Sequence, residues 1–142
     1  MITAWRLCNF KSIREEQKLS FVATGRDKEH PENLIELDVP GMSGVKLLKS
    51  AIIYGANASG KTNVLHALGF MIRTVLVSFY RPGPGSQIPV TPFVLDEHSP
   101  IEPSRFELDF IAGGIRYKYG FILDKEGDDL WRLLNRGQAA FV

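Results

Sequence analysis

The 142-residue sequence predicts a mixed α/β domain, with a strand, a glycine-rich loop and a helix at its centre and antiparallel hairpins beside them. Three observations lead there. "AIIY" at 51–54 is a continuous apolar run after Ser50, the pattern of a strand covered on both faces, as in a parallel sheet. "TNVLHALGFMIRTVLVSF", Thr62 to Phe79, is long enough for four helical turns and apolar nearly all round, which predicts a buried helix. "RFELDFI" and "IRYKYGFILD" alternate with a period of two and are joined by Ala112, Gly113 and Gly114, the strongest hairpin signal in the chain.

The other elements follow in order. Residues 2–10 and 17–23 read as strands, the second with Leu19, Phe21 and Ala23 alternating with Lys18, Ser20 and Val22. The polar segment Lys11 to Glu16 joins them, so 1–24 forms an N-terminal hairpin. From Gly25 to Gly44 the chain is polar with two prolines and reads as loop with one short element at most. Residues 50–80 hold the central strand, loop and helix. Gly69 inside the helix costs about 1 kcal/mol against alanine, which predicts a neighbouring strand in close approach. "RPGPGSQIPVTP" at 81–92 carries four prolines and two glycines and excludes regular structure, so 81–104 reads as a connection. The second hairpin spans 105–124. It places Phe106, Leu108 and Phe110 on one face of its first strand and Ile115, Tyr117, Tyr119 and Phe121 on one face of its second. Beyond Gly127 no period is clear. Residues 1–142 thus read as one partial domain.

Charge is balanced, with 17 basic and 16 acidic residues. Residues 1–49 hold eight basic and seven acidic groups, and the rest hold nine of each. Neither half suggests a nucleic-acid surface. Cys8 is the single cysteine, so no internal disulfide forms, which suits a reducing cytoplasm. "MITAWRLCNF" lacks the apolar core of a signal peptide. The run from Val64 to Phe79 is interrupted by His66, Arg73 and Thr74 and is too short and polar for a bilayer span.

"GANASGKT", Gly55 to Thr62, fits G-x-x-x-x-G-K-[ST] at every fixed position. The spacing has a physical reason. A loop that wraps an anion between a strand and a helix needs glycines where a side chain would clash. Its N–H groups and the positive end of the helix then face the anion. The expected phosphate contacts are Gly55, Asn57, Ala58, Ser59, Gly60, Lys61, Thr62 and Asn63. Lys61 supplies a point charge for the β and γ phosphates, and Thr62 a hydroxyl for Mg²⁺. The expected cofactors are ATP and Mg²⁺.

Four stretches in this order, "NFKSI", "AIIYGANASGKTNVLHAL", "IPVTPFVLD" and "PSRFELDFIAGGIRYKYGFILD", resemble the N-terminal part of bacterial AAA-type core-domain ATPases. That family is related to ABC and SMC ATPase heads and to the ATPases of overcoming-lysogenization-defect nucleases. The resemblance covers roughly residues 1–125 and is most specific at Asn57 to Asn63. It implies a P-loop NTPase N-terminal lobe of ABC/SMC type whose hairpins form an antiparallel layer beside a parallel core. It also implies that Asn9, Lys11 and Ser12 lie near the nucleotide. Family members add an LSGG signature, a strand ending in Asp-Glu and a histidine switch. No LSGG is present, and "GMSGV" at 41–45 lacks the second glycine of the pair. Hydrolysis is therefore expected of a complete dimeric protein, with no catalytic residue assigned in this stretch. The expected partners are a second copy or a C-terminal lobe, and a nuclease or effector in phage defence or DNA maintenance.

"PFVLDEH" at 92–98 looks like an acidic strand end, but Pro92 removes a donor that a central strand needs. Asp96 and Glu97 read as a solvated turn, as do Asp128 and Asp129. His30, His66 and His98 have no partners at metal spacing. Ser20, Ser59 and Ser104 lack a nucleophile context. Tyr117 and Tyr119 read as sheet face. A small-molecule kinase using the same loop is an alternative, although only Arg81 stands where kinases carry an arginine-rich lid. A degenerate interaction module that binds no nucleotide is another.

Overall fold

A computed structural model describes residues 1–24, 30–78, 88–124 and 129–136. The chain forms strands β1 (Ile2–Cys8), β2 (Gln17–Ser20), β3 (Leu34–Glu36) and β4 (Lys46–Leu48), then helix α1 (Lys61–Ser78). Strands β5 (Ser104–Ala112), β6 (Ile115–Leu123) and β7 (Asp129–Arg136) follow. The main sheet runs β2-β1-β5-β6-β7, with every neighbouring pair antiparallel. The result is a mixed α/β fold built on antiparallel sheets.

The β5–β6 hairpin forms as its alternation predicts. Phe106 pairs with Phe121, Leu108 with Tyr119 and Phe110 with Tyr117. Ala112 opposite Ile115 leaves a two-residue turn of Gly113 (φ 56°) and Gly114 (φ 70°). Positive φ at both positions gives a turn whose twist matches that of the strands.

One face of the sheet carries Trp5, Leu7, Phe106, Phe121 and Leu123, all buried, and packs with Ala67 and Met71 of α1. Phe106, 0% exposed, sits at the centre of a ring cluster. Its centroid lies 5.5 Å from Phe10, 5.2 Å from Phe70 and 5.2 Å from Phe121. The other face of β5 presents Glu107 and Asp109, both buried. Glu107 pairs with Lys118 at 2.6 Å and Arg105 at 3.0 Å, and Asp109 with Arg6 at 2.5 Å. Ile111, further along β5, joins a smaller core of Leu37, Val39, Met42 and Leu47 beneath the β3–β4 ribbon.

Several sequence expectations change. Residues 51–54 form no strand; Ile52 is 88% and Tyr54 90% exposed. A continuous apolar run becomes a buried strand only where partner strands flank it and other elements cover it, and no described strand pairs with 51–54. Helix α1 is one-sided rather than buried all round: Ala67, Met71 and Thr74 are covered, while Leu65, Ile72 and Leu76 are exposed. Nothing lies within 4 Å of where a Gly69 Cβ would stand, so close approach does not explain this glycine. The 25–44 stretch holds β3 and a 3-10 turn at Pro31–Asn33, and β4, unforeseen, pairs with β3. β2 ends at Ser20, with Val22 bridging to Leu47. Asp129 opens β7 rather than a turn. Arg81, Asp128 and the first part of the Pro/Gly-rich connection lie outside the described residues.

Cys8 ends β1, and its thiol donates to the carbonyl of Arg14 at 3.3 Å. Burial, followed by the nearby carboxylates of Glu16 and Glu102, pushes the thiol pKa up. The thiolate is the reactive form, so Cys8 should be alkylated by iodoacetamide at neutral pH more slowly than free cysteine. Equal rates measured by mass spectrometry would contradict this.

Candidate functional site

The Gly55–Thr62 loop ends where α1 begins at Lys61, so the first N–H groups of the helix open onto the loop. Ala58 has φ 61° and Gly60 φ 88°. Left-handed backbone at a non-glycine residue costs about 1–3 kcal/mol and clusters at functional loops. At Gly60, a Cβ would stand 3.1 Å from the hydroxyl of Ser12, so a larger residue would crowd that contact. The carbonyl of Gly60 accepts from the N–H groups of Asn63 (2.9 Å) and Val64 (3.2 Å), which closes the first helical turn.

Lys61 is half-buried at the start of α1. Its ammonium folds back over the loop and donates to the carbonyls of Gly55 (2.9 Å) and Ala56 (2.5 Å) and to the hydroxyl of Ser59 (3.4 Å). The charge therefore sits at the centre of the loop. Thr62 is exposed on the first turn, and Asn57 lies exposed in the loop.

The structure separates the three residues of "NFKSI" singled out in the sequence. Ser12 reaches the loop, where the Asn63 amide donates to its hydroxyl at 2.7 Å. Lys11 turns elsewhere: its ammonium lies 3.2 Å from Nδ1 of His66. Asn9 is 3% exposed and has a structural task. Its amide donates to the carbonyls of Ser99 (2.8 Å) and Glu102 (2.7 Å), and its carbonyl oxygen accepts from the N–H of Phe93 at 2.9 Å. With its polar atoms engaged, Asn9 ties β1 to the 93–102 segment and leaves no group to offer a ligand.

A cavity of about 460 Å³ lies against the loop. Ser59, Gly60, Lys61 and Val64 form one wall, Ser12 to Glu15 and Gln17 the other, and Ile53 and Tyr54 an apolar edge. Arg14, Glu15, Gln17 and Tyr54 escape a motif-based reading because they stand outside the eight-residue pattern. The only signal for the first three was that their segment follows "NFKSI".

Asp96 lies in a turn, as the sequence suggests. Its carboxylate accepts from the N–H groups of His98 (2.9 Å) and Ser99 (2.6 Å) and from the Ser99 hydroxyl (2.8 Å). Those Ser99 bonds, with help from His98 and Arg14, hold its pKa below the usual carboxylate range. Among the described residues no group of three His, Cys, Asp or Glu side chains could hold a metal ion. No helix among them is long and apolar enough to cross a membrane.

No curated protein and no solved structure matches the chain. Residues 50–138 match the family described as "AAA domain, putative AbiEii toxin, Type IV TA system". The match takes in the glycine-rich loop, all of α1 and the β5–β7 strands. It supports a nucleotide-binding, ATPase-type function, since AAA-type domains generally bind ATP with Mg²⁺. Spanning more than half of the sequence, the match makes this chain a member of that AAA-domain family.

Proposed function

We propose that the chain is the ATP-binding lobe of a P-loop ATPase of ABC/SMC type, with Gly55–Asn63 as its phosphate cradle. One observation carries this reading: the Lys61 ammonium rests inside a loop with left-handed residues at a helix N-terminus, beside a cavity large enough for a nucleotide. The donor set fits a polyphosphate. Lys61 exchanges carbonyl oxygens for phosphate oxygens, and the first N–H groups of α1 add fixed partial charge. Thr62, exposed on that first turn, fits a place beside Mg²⁺, and Ser12 props the loop from outside. Bound Mg²⁺ would supply charge neutralisation for the phosphate chain.

Hydrolysis belongs to a fuller assembly. On the cavity wall Glu15 is the one carboxylate among the described residues, and Asp96 is committed to its turn. Positioning and charge stabilisation make up nearly all of phosphoryl-transfer catalysis. With those groups sparse here, the rate should be lost rather than trimmed. The exposed Ile52, Tyr54, Leu65 and Leu76 fit contact with a further lobe or a second copy. A nuclease or effector partner, phage defence and DNA maintenance rest on the family resemblance alone.

The test is equilibrium titration of a fluorescent ATP analogue with Mg²⁺, competed by unlabelled ATP and by adenosine, with phosphate release measured in parallel. Binding displaced by ATP but not by adenosine, with release at background, is expected. Displacement by adenosine as strong as by ATP would overturn the phosphate-cradle reading. Turnover by a monodisperse monomer would overturn the need for a fuller assembly.

A further inference from the structure

We propose that Arg14 is a second cationic contact for the phosphate chain and that Asp96 is the positioning residue that aims it. The inference rests on the phosphate-cradle reading of the Lys61 loop and adds a residue that the loop motif does not contain.

The geometry builds from Asp96 outward. Two backbone N–H groups and one hydroxyl, at 2.6–2.9 Å, fix this carboxylate independently of Arg14. Onto it comes the guanidinium of Arg14, through Nε at 2.9 Å from Oδ2. This contact is an ion pair, and a guanidinium paired near Nε still carries four N–H donors on its terminal nitrogens. The Arg14 side chain remains 58% exposed. Arg14 lines the same cavity as Ser59, Gly60 and Lys61.

The backbone carrying Arg14 is also fixed. The Arg14 carbonyl accepts from the Asn9 N–H at 3.0 Å and from the Cys8 thiol. Two residues earlier, Ser12 is bonded to Asn63 at the start of α1. The cation is therefore tied to the cradle on one side and to a rigid turn on the other. An arginine fork oriented in advance suits phosphate oxygens, and less side-chain freedom is lost when they arrive.

The experiment uses the full chain, the fluorescent ATP analogue and Mg²⁺. Arg14→Ala should bind about tenfold more weakly, the loss of a charge-assisted contact. Arg14→Lys should recover little, because one ammonium cannot both sit on Asp96 and present a fork. Asp96→Asn should weaken binding about threefold, the scale of an exposed ion pair. The double variant should be no worse than Arg14→Ala alone. Thermal midpoints without nucleotide should move little for Arg14→Ala, which separates contact from scaffold.

Arg14→Ala binding like the parent while Lys61→Ala loses binding would overturn the Arg14 assignment and leave the cradle standing. Losses that add in the double variant would overturn the positioning role of Asp96. No binding by the parent protein, or equal binding by Lys61→Ala, would overturn the cradle and this inference with it.

Discussion

Lys61→Ala is expected to weaken binding of Mg²⁺-ATP on the order of a hundredfold, the scale of losing two charge-assisted contacts. The ammonium has three donors, and in the loop they face two carbonyls and one hydroxyl at 2.5–3.4 Å. These partners are neutral. Anionic phosphate oxygens are stronger acceptors, so the exchange is favourable, and alanine forfeits it. The same change removes the tie that draws Gly55, Ala56 and Ser59 together, so the loop also loses preorganisation. The fold should survive: Lys61 takes no part in the ring cluster around Phe106. Titration of the analogue against both proteins, with circular dichroism as the control for folding, checks this. A variant that binds as tightly as the parent removes the phosphate-cradle reading.

Phe106→Ala is expected to destabilise the domain by about 3–5 kcal/mol, the cost of emptying a large aromatic site in a packed core. Its ring is fully covered and touches rings from three other places: Phe10 after β1, Phe70 on α1 and Phe121 on β6. No neighbour can collapse into the space without leaving the others. The thermal midpoint should fall by more than about 10 °C. Phe110→Ala, two residues along the same strand, is the comparison. Phe110 is only half-buried and stacks on Tyr117 at 5.3 Å, so its loss should cost far less. Equal costs in thermal denaturation would contradict a core centred beneath α1. Phe106 also seats α1 against the segment that carries Ser12, so its loss should weaken nucleotide binding indirectly.

Local patterns were legible wherever a segment's structure depends on its own neighbours. The β5–β6 hairpin follows from strict alternation and two glycines. Helix α1 begins at Lys61, one residue before the expected Thr62, and is described as far as Ser78, the expected end at Phe79 lying outside the described residues. The glycine-rich loop was recognisable because phosphate chemistry demands fixed residue types at fixed intervals. Features that depend on distant segments were not. "AIIY" has the composition of a buried strand, but composition carries no information about which strands stand beside it. The apolar circumference of α1 could not say that only the Ala67–Met71 side would be covered.

The charged positions of β5 show the same limit from the other side. Glu107 and Asp109 alternate with apolar residues and so look solvent-facing, yet both are buried beneath Arg6, Arg105 and Lys118. Those partners come from β1, β5 and β6, a set visible only after pairing. The cavity wall of Arg14, Glu15 and Gln17 was hidden for the same reason. It gains its meaning from Ser12 touching Asn63, a contact between positions 51 residues apart.

Strand β1 takes one sheet neighbour from nearby in the chain and the other from far along it: β2 begins nine residues after β1 ends, whereas β5 begins at Ser104. A ribosome delivers the first partner almost at once and the second only after the nucleotide loop and α1 have already emerged. Until then one edge of β1 stays open, Trp5 and Leu7 lack the strand that flanks them, and Ser12 has no firm platform from which to meet Asn63. Closing so long an intervening loop is slow relative to local pairing. The nascent chain therefore carries its phosphate motif complete in sequence before it can hold a nucleotide, and newly made copies should acquire affinity only when the β5–β6 hairpin docks.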